Sequence, residues 1–547
     1  MMHAAAILIL ALLMMVSFQQ CDSPKVKEGD KLGDIDFPVH GNQASQDYFL
    51  KGMLLLHSFE YEDAAENFVK AQQADSTCVM AYWGEAMTYN HPLWRYQNYD
   101  KATAALARLG STEAERLSKT SSDLEKDFLL AADTLYGKGS KSRRDSLYAL
   151  YMGNMYRKYP GNNEVASLYS LALLGSVEVG RNDEVYGSAA EIAKEVLERN
   201  PNHPGALHYL IHSYDDPVHA QLALTAADEY SVVAPAAGHA LHMPTHIYVA
   251  LGMWDKVVIN NEDAWAATVN RVKEKHLDND DLGYHYFHWL EYGYLQQGRM
   301  EEARKLLFEM KNYCDSLPSD RATEYVVYMK SNYLIESNDW SPEVTDMRVN
   351  IDDLNIATQA MAYFIDGLHA FRNHDEKELA AAETQLLRKR LVASESVEGN
   401  AAGVCGNLIG TAPNLLDVQQ AEVMELELNA LDSWMKRNTA ATDSFYRKAT
   451  ALENSISYSF GPPAVVKPSN EMYGEWLLQI NRPDEALKQF QLSLKAAPRR
   501  VLSLQGVINA ATKTGDTDEV DDARKILEEI SRKTGETINR KPAPANT

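Results

Sequence analysis

Four histidines stand in two pairs, His208 with His212 and His242 with His246, and each member of the first pair precedes its counterpart by 34 residues. Within a pair the spacing is i, i+4, which on a helix puts both imidazoles on one face. A fixed interval between like pairs predicts a structural repeat, with the pairs at matching places on neighbouring units. Packed helices lie about 8–10 Å apart, so imidazoles from two of them can converge on one ion. Imidazole suits Zn, Cu or Fe, and three-histidine sites leave a coordination position for water or substrate. Such an ion lowers the pKa of bound water and polarises a carbonyl, while Cu or Fe also changes redox state. The expected cofactor is therefore a divalent transition metal, Zn, Cu or Fe; spacing does not choose among them.

The elements that must position these side chains recur along the chain. Phe59-Glu60-Tyr61-Glu62-Asp63-Ala64-Ala65 is followed by Phe68 and Ala71, Gly252-Met253-Trp254-Asp255-Lys256-Val257 by Ala264, Gly298-Arg299-Met300-Glu301-Glu302-Ala303 by Leu307 and Met310, and Asn481-Arg482-Pro483-Asp484-Glu485-Ala486 by Phe490 and Ser493. Each phrase is a turn residue, a bulky residue, acids and then a small residue at a helix–helix contact. They resemble the tetratricopeptide signature over most of residues 43 to 535, with several degenerate units. The fold expected is all-α, a tetratricopeptide-like helix-turn-helix superhelix or α-solenoid. Val79 to Asn90, Ser142 to Tyr159, Asn163 to Gly180 and Thr323 to Glu336 read as helices bounded by Pro, Gly or Asn, and no strand alternation stands out.

The repeat serves as a ruler. His242 and His246 lie ten and six residues before Gly252, and the same offsets before Gly298 give His288 and Tyr292; thirteen residues before the two glycines stand His239 and His285. His208, His212, His239, His242, His246, His285 and His288 are the expected metal ligands. The resemblance implies that these first helices line the concave groove, where a protein or small-molecule ligand would bind. Asp215, Asp216 and Glu291 are candidates for orienting the ligands or acting as general base, and Tyr209, Tyr284 and Tyr286 for donating hydrogen bonds. Glu471 and Glu475 stand ten and six residues before Asn481 and are candidate acid/base groups if the superhelix brings the C-terminus back over the centre. The long stretch from Arg271 to Gly283 is expected to fold over the cluster or to supply a carboxylate. His57, His91 and His369 read as core or turn residues. Two other readings of the histidines are a polar network gripping a peptide or carboxylated ligand, and plain packing.

A chain of 547 residues with a net charge of −24 exceeds a single core, and its charge argues against nucleic acid as a partner. Ala4 to Phe18 is apolar except at Ser17, and Cys21 follows before Cys21-Asp22-Ser23-Pro24 opens a polar stretch. This resembles a bacterial lipoprotein signal, which implies export and a lipid anchor at Cys21 in the cell envelope. The organisation expected is a signal over 1–21, a flexible linker over 22–42, the histidine-bearing superhelix over 43–397, a Gly-rich loop or break over 398–415, C-terminal repeats over 416–535 and a disordered tail over 536–547. Cys78, Cys314 and Cys405 offer no disulfide framework or metal knuckle. Nucleophile elbows, phosphate loops, dinucleotide fingerprints and HExxH helices are absent. His239-Ala240-Leu241-His242-Met243-Pro244-Thr245-His246, with its flanking words, is similar to a branch of exported bacterial tetratricopeptide proteins that has no settled activity. Two functions follow: a metal-dependent enzyme on a small or peptidic substrate, or a scaffold for protein partners at the envelope.

Overall fold

In the computed structural model, residues 31–178, 180–397 and 413–538 are described. Antiparallel helix pairs succeed one another along the chain, and each packs on the next. The turn inside a pair has one recurring geometry. Phe59, Gly252, Gly298, His374, Arg437 and Asn481 all sit in the left-handed region with φ between 55° and 72°. The amide of the following residue bonds back five positions, as in Met253 N to Tyr248 O at 2.8 Å and Arg482 N to Leu477 O at 2.9 Å. This is the Schellman ending, which satisfies carbonyls that the helix leaves open and reverses the chain in few residues.

Second helices lock onto first helices through aromatic rings set against glycine. Phe68 fills the space between Gly52 and Gly84, where an added Cβ would stand 2.8 and 2.3 Å from ring carbons. Phe490 does the same between Gly474 and Gly506 at 2.8 and 2.3 Å, so the packing unit at one end of the chain repeats at the other. Ala64, Ala303 and Ala486 are fully buried at the close contacts. The architecture is an all-α tetratricopeptide-like solenoid.

The superhelix is tight enough to close on itself. Trp254 Nε1 donates to Arg499 O at 3.0 Å and Val501 N to Gln296 Oε1 at 3.0 Å, joining the middle of the chain to its C-terminal repeats. Arg271 and Lys275 pair with Asp63 at 2.7 and 2.8 Å, joining the middle to the first repeat. Both contacts form around the histidine-bearing helices.

Several boundaries differ from expectation. Residues 31–42 of the expected linker pack against the solenoid: Phe37 is buried against Phe49 and Phe128 at 5.3 Å each, and Lys31 O accepts from Ala236 N at 3.0 Å. An apolar side chain every few residues lets an extended segment bury itself without a helix. The signal, Cys21, Cys405 and most of the Gly-rich stretch lie outside the described residues. The helices on either side of that stretch, Glu376–Ser396 and Leu415–Met435, pack directly on each other, so the solenoid continues across it. The last helix runs from Thr517 to Ile538, into the expected tail. Asn90–His91 and Tyr96–Gln97 form a two-residue hairpin, too short to show alternation in sequence. No helix among the described residues is long and apolar enough to cross a membrane.

Candidate metal centre

Three successive first helices deliver the histidines. His208 and His212 lie on Pro204–Ser213, which Pro204 opens and which His203 caps by accepting the Ala206 amide at Nδ1. His239 and His242 end the short helix Gly238–His242, and His246 lies on Pro244–Ala250. Pro244 opens the second of these short helices, where its missing amide is one that a helix start leaves unpaired. His242 and His246 remain neighbours across the junction, their ring centroids 5.3 Å apart. His285 and His288 lie on Tyr284–Gln296.

These seven side chains are 0–8 % exposed, so they occupy the interior rather than an open groove. The loop between helices Thr439–Glu453 and Ser469–Gln479 covers them. Phe460 packs 5.6 Å from His246, and Gly461, at φ +86°, lies so close to the Trp289 indole that a Cβ would stand 2.2 Å from it. Groove residues became buried residues because the returning C-terminal repeats close the superhelix over them.

Hydrogen bonding divides the two nitrogens of His208, His239, His242 and His246, while both nitrogens of His212 lack a hydrogen bond. His208 Nδ1 donates to His57 O at 2.7 Å. His242 Nδ1 donates to Asn261 Oδ1 at 2.7 Å, and Asn261 Nδ2 in turn donates to Val257 O at 3.0 Å, which fixes the amide with its oxygen toward the ring. Asp215 Oδ2 lies 3.3 Å from His246 Nδ1 and 3.4 Å from His212 Nδ1. His239 Nδ1 is 3.5 Å from the Tyr286 hydroxyl. By contrast, Nε2 of His208, His212, His239, His242, His246 and His285 is buried without a hydrogen-bond partner. Buried polar atoms are ordinarily paired, so six orphan Nε2 atoms in one place depart from that rule.

They gather in two threes. One ring nitrogen from each of His208, His212 and His239 lies within 4.8 Å of the others, the same holds for His242, His246 and His285, and an overlapping group of the same tightness joins His212 and His246 to Asp215. Burial drives the pKa of His212, His242 and His246 down to about 3 and those of His208, His239 and His285 well below the ordinary value. The rings are neutral at pH 7, the form with a lone pair that a metal takes. Burial also raises the Asp215 carboxyl, against the pull of His246. A carboxylate or carbonyl behind a histidine, holding Nδ1–H and aiming Nε2 forward, is the usual support of a metal ligand.

The remaining expected residues lie elsewhere. His288 joins neither set, because Asn332 Nδ2 donates to its Nε2 at 2.7 Å and Tyr328 stacks on its ring. Glu291 is buried with both oxygens unpartnered, and burial pushes its carboxyl pKa well above the ordinary range; it belongs to neither set. Asp216 pairs with His219 and Arg181. Glu471 is bound to Arg500 at 2.8 Å, Ser503 at 2.7 Å and Lys467 at 3.4 Å, and Glu475 to Lys467 at 2.8 Å, so neither acid is free for catalysis. The stretch from Arg271 to Gly283 packs outward: Ser319 donates to Asp280 at 2.8 Å and Arg321 to Leu282 O at 2.7 Å, and it brings no carboxylate to the histidines. Tyr209 bonds to His57 Nδ1 at 2.8 Å, and Tyr284 accepts from Asn279 at 3.0 Å. His91 stacks on Tyr61 and His369 on Trp340.

Sequence reasoning missed the supports Asn261 and the His57 carbonyl, and it missed a third imidazole group. His57 and His203 both point Nε2 at Glu164, at 2.8 and 3.1 Å. No spacing rule links residues more than a hundred positions apart. A cavity of about 170 Å³ adjoins the centre, walled by His285, His288, Trp289, Tyr328, Arg181 and Asp216. His285 is shared between the histidine sets and this cavity.

No family model matches the chain, and no curated protein matches it. Solved structures that are similar in fold include yeast Tom70, at 11% identity over 87% of this chain and 96% of that one, TM-score 0.32. Human IFIT1, as a dimer, is similar at 13% identity over 93% and 92% of the chains, TM-score 0.33. The tetratricopeptide domain of P58(IPK) is similar at 13% identity over 91% and 99%, TM-score 0.21.

Proposed function

We propose that this chain is a metal-binding solenoid in which buried imidazoles hold a transition metal, Zn, Cu or Fe, beside a small-molecule cavity. The observation that carries the reading is the set of six buried Nε2 atoms without partners, backed by Nδ1 contacts to His57 O, Asn261 and Asp215. Packing alone does not explain them, since a histidine kept for packing loses stability when one nitrogen is stranded. Peptide capture fits poorly with rings that the Phe460–Gly461 segment covers.

The cavity extends the reading to a metal-dependent enzyme on a small substrate. A molecule in it would touch His285 on one side and the Arg181 guanidinium on another. Elemental analysis of the purified chain tests the metal: stoichiometric metal in the wild type and its loss in His242→Ala/His246→Ala support it, and metal-free wild-type protein after loading sinks it. A cobalt-substituted chain tests the open position, because added azide shifts its visible bands only if a coordination site faces solvent-borne ligands.

A second reading, a scaffold for a protein partner, is favoured by Leu387, Leu391 and Val392, which are exposed together on helix Glu376–Ser396. Partner capture that persists without metal and fails in Leu391→Glu would select it. We also propose export and lipid anchoring at Cys21. Incorporation of labelled palmitate that disappears in Cys21→Ser checks the anchor.

A further inference from the structure

We infer that the centre holds two ions, one on His208, His212 and His239 and one on His242, His246 and His285. This rests on the reading above that the imidazoles bind metal at all. Nitrogens bound to one zinc at about 2.0–2.1 Å can be no more than about 4.2 Å apart, and zinc takes four ligands in its ordinary geometry. Six free imidazole nitrogens are too many for one such ion. Three per ion is the set that zinc and copper accept with a position to spare, and the histidines stand in two threes, each residue offering one ring nitrogen within 4.8 Å of the other two. A single four-coordinate ion would strand at least two buried acceptors.

The two sets are in contact. The His212 and His246 rings lie 5.5 Å apart and the His239 and His242 rings 6.2 Å apart, each pair taking one ring from each set. Asp215 ties the sets together from behind. Its single oxygen Oδ2 faces Nδ1 of His212 and of His246, one histidine of each set, so one carboxylate orients a ligand of both ions. The carboxylates facing the centre are Asp215 and Glu60, whose Oε1 accepts the His239 amide at 3.0 Å; neither set of three includes a carboxylate, although Asp215 forms an overlapping close group with His212 and His246, one histidine of each set. An all-imidazole donor set selects late transition ions such as zinc and copper over the hard ions magnesium, calcium and manganese.

The third imidazole group shows what a closed set looks like. His57 uses Nδ1 on Tyr209 and Nε2 on Glu164, and His203 uses Nδ1 on the Ala206 amide and Nε2 on Glu164. Every ring nitrogen there has a protein partner. It needs no ion, and the two proposed sets differ from it on that point.

The test uses the full chain, stripped with chelator, reloaded with Zn(II) alone, desalted and analysed for metal. Two zinc per chain are expected in the wild type, and one in each of His208→Ala/His239→Ala and His242→Ala/His285→Ala. One zinc in the wild type overturns the pair and leaves metal binding standing; none overturns both. A measurement without variants covers the case in which these do not fold. Wild-type chain loaded with Cu(II) should give a dipole-broadened or spin-deficient paramagnetic resonance spectrum, since the two ions are neighbours. A spectrum of isolated ions that accounts for all the copper overturns the proposal.

Discussion

His242 with His246 and Glu471 with Glu475 stand at the same offsets, ten and six residues, before the left-handed turn residues Gly252 and Asn481. The repeat gives them equivalent positions, yet the structure treats them in opposite ways. Around Glu471 every charge is answered: Arg500 spans Glu471 and Glu336 and also donates to the Tyr292 hydroxyl at 2.9 Å, while Lys467 bridges Glu471 and Glu475. Although burial works the other way, Arg500 and Lys467 hold the Glu471 carboxyl below its ordinary range. At His242 and His246 only Nδ1 is answered, and Nε2 is left open. The same helical position thus carries a structural clamp in one repeat and an imidazole with an unpartnered nitrogen in another. The difference lies in what the neighbouring elements bring to it.

The comparison breaks most visibly at Arg500. Replacing it in Arg500→Met leaves Glu336 buried without its counter-ion and Glu471 with Lys467 alone, and unfolding in urea should show a loss of about 3–5 kcal/mol. Adding Glu471→Gln should recover part of that loss. On the histidine side, Asp215→Asn keeps the shape but removes the charge behind two imidazoles. Metal affinity, measured against a chromophoric chelator, should fall roughly 10–100-fold, whereas Glu475→Gln should leave it unchanged.

The cover is a joint between the two regions. Gly461→Ala forces a side chain into the Trp289 indole at a left-handed backbone position, at a cost of about 1–3 kcal/mol. Thermal unfolding and a changed tryptophan emission would register it, and an unchanged emission would mean that the loop does not seat on Trp289.

The smallest expected effect is a pH slope in the C-terminal core. Burial raises the Glu427 carboxyl well above its ordinary 4.5, and Ser469 donates to one of its oxygens at 2.8 Å. The folded chain therefore carries a proton there that the unfolded chain loses above pH 4.5, so this group's contribution falls as pH rises past that value. Glu427→Gln should gain on the order of 1 kcal/mol over wild type between pH 5 and 6, read from denaturation curves. Equal curves at the two pH values would show that Glu427 ionises without cost.

Much of the fold was legible because its signals are local. Gly252, Gly298 and Asn481 mark three of the Schellman turns, and Ala64, Ala303 and Ala486 mark the close contacts. The turns at Phe59, His374 and Arg437 gave weaker cues, since bulky residues rarely take left-handed angles and do so here only because the packed pair requires it. Six of the seven expected histidines share the centre, because helical and repeat periods align side chains without reference to their partners. His288 was lost to Asn332, 44 residues on, and the Glu pair was lost to Lys467 and Arg500.

By itself, the sequence determined that a helical repeat would carry imidazoles in register on consecutive helices, since periodicity is a property of the chain alone. Which nitrogens stay free was decided only in three dimensions. The His57 carbonyl that engages His208 is 151 residues away, and the Phe460 segment that seals the centre reaches it from the far end of the superhelix. Hydrogen-bond partnership and exclusion of water depend on which distant surfaces meet, and no local spacing encodes that meeting.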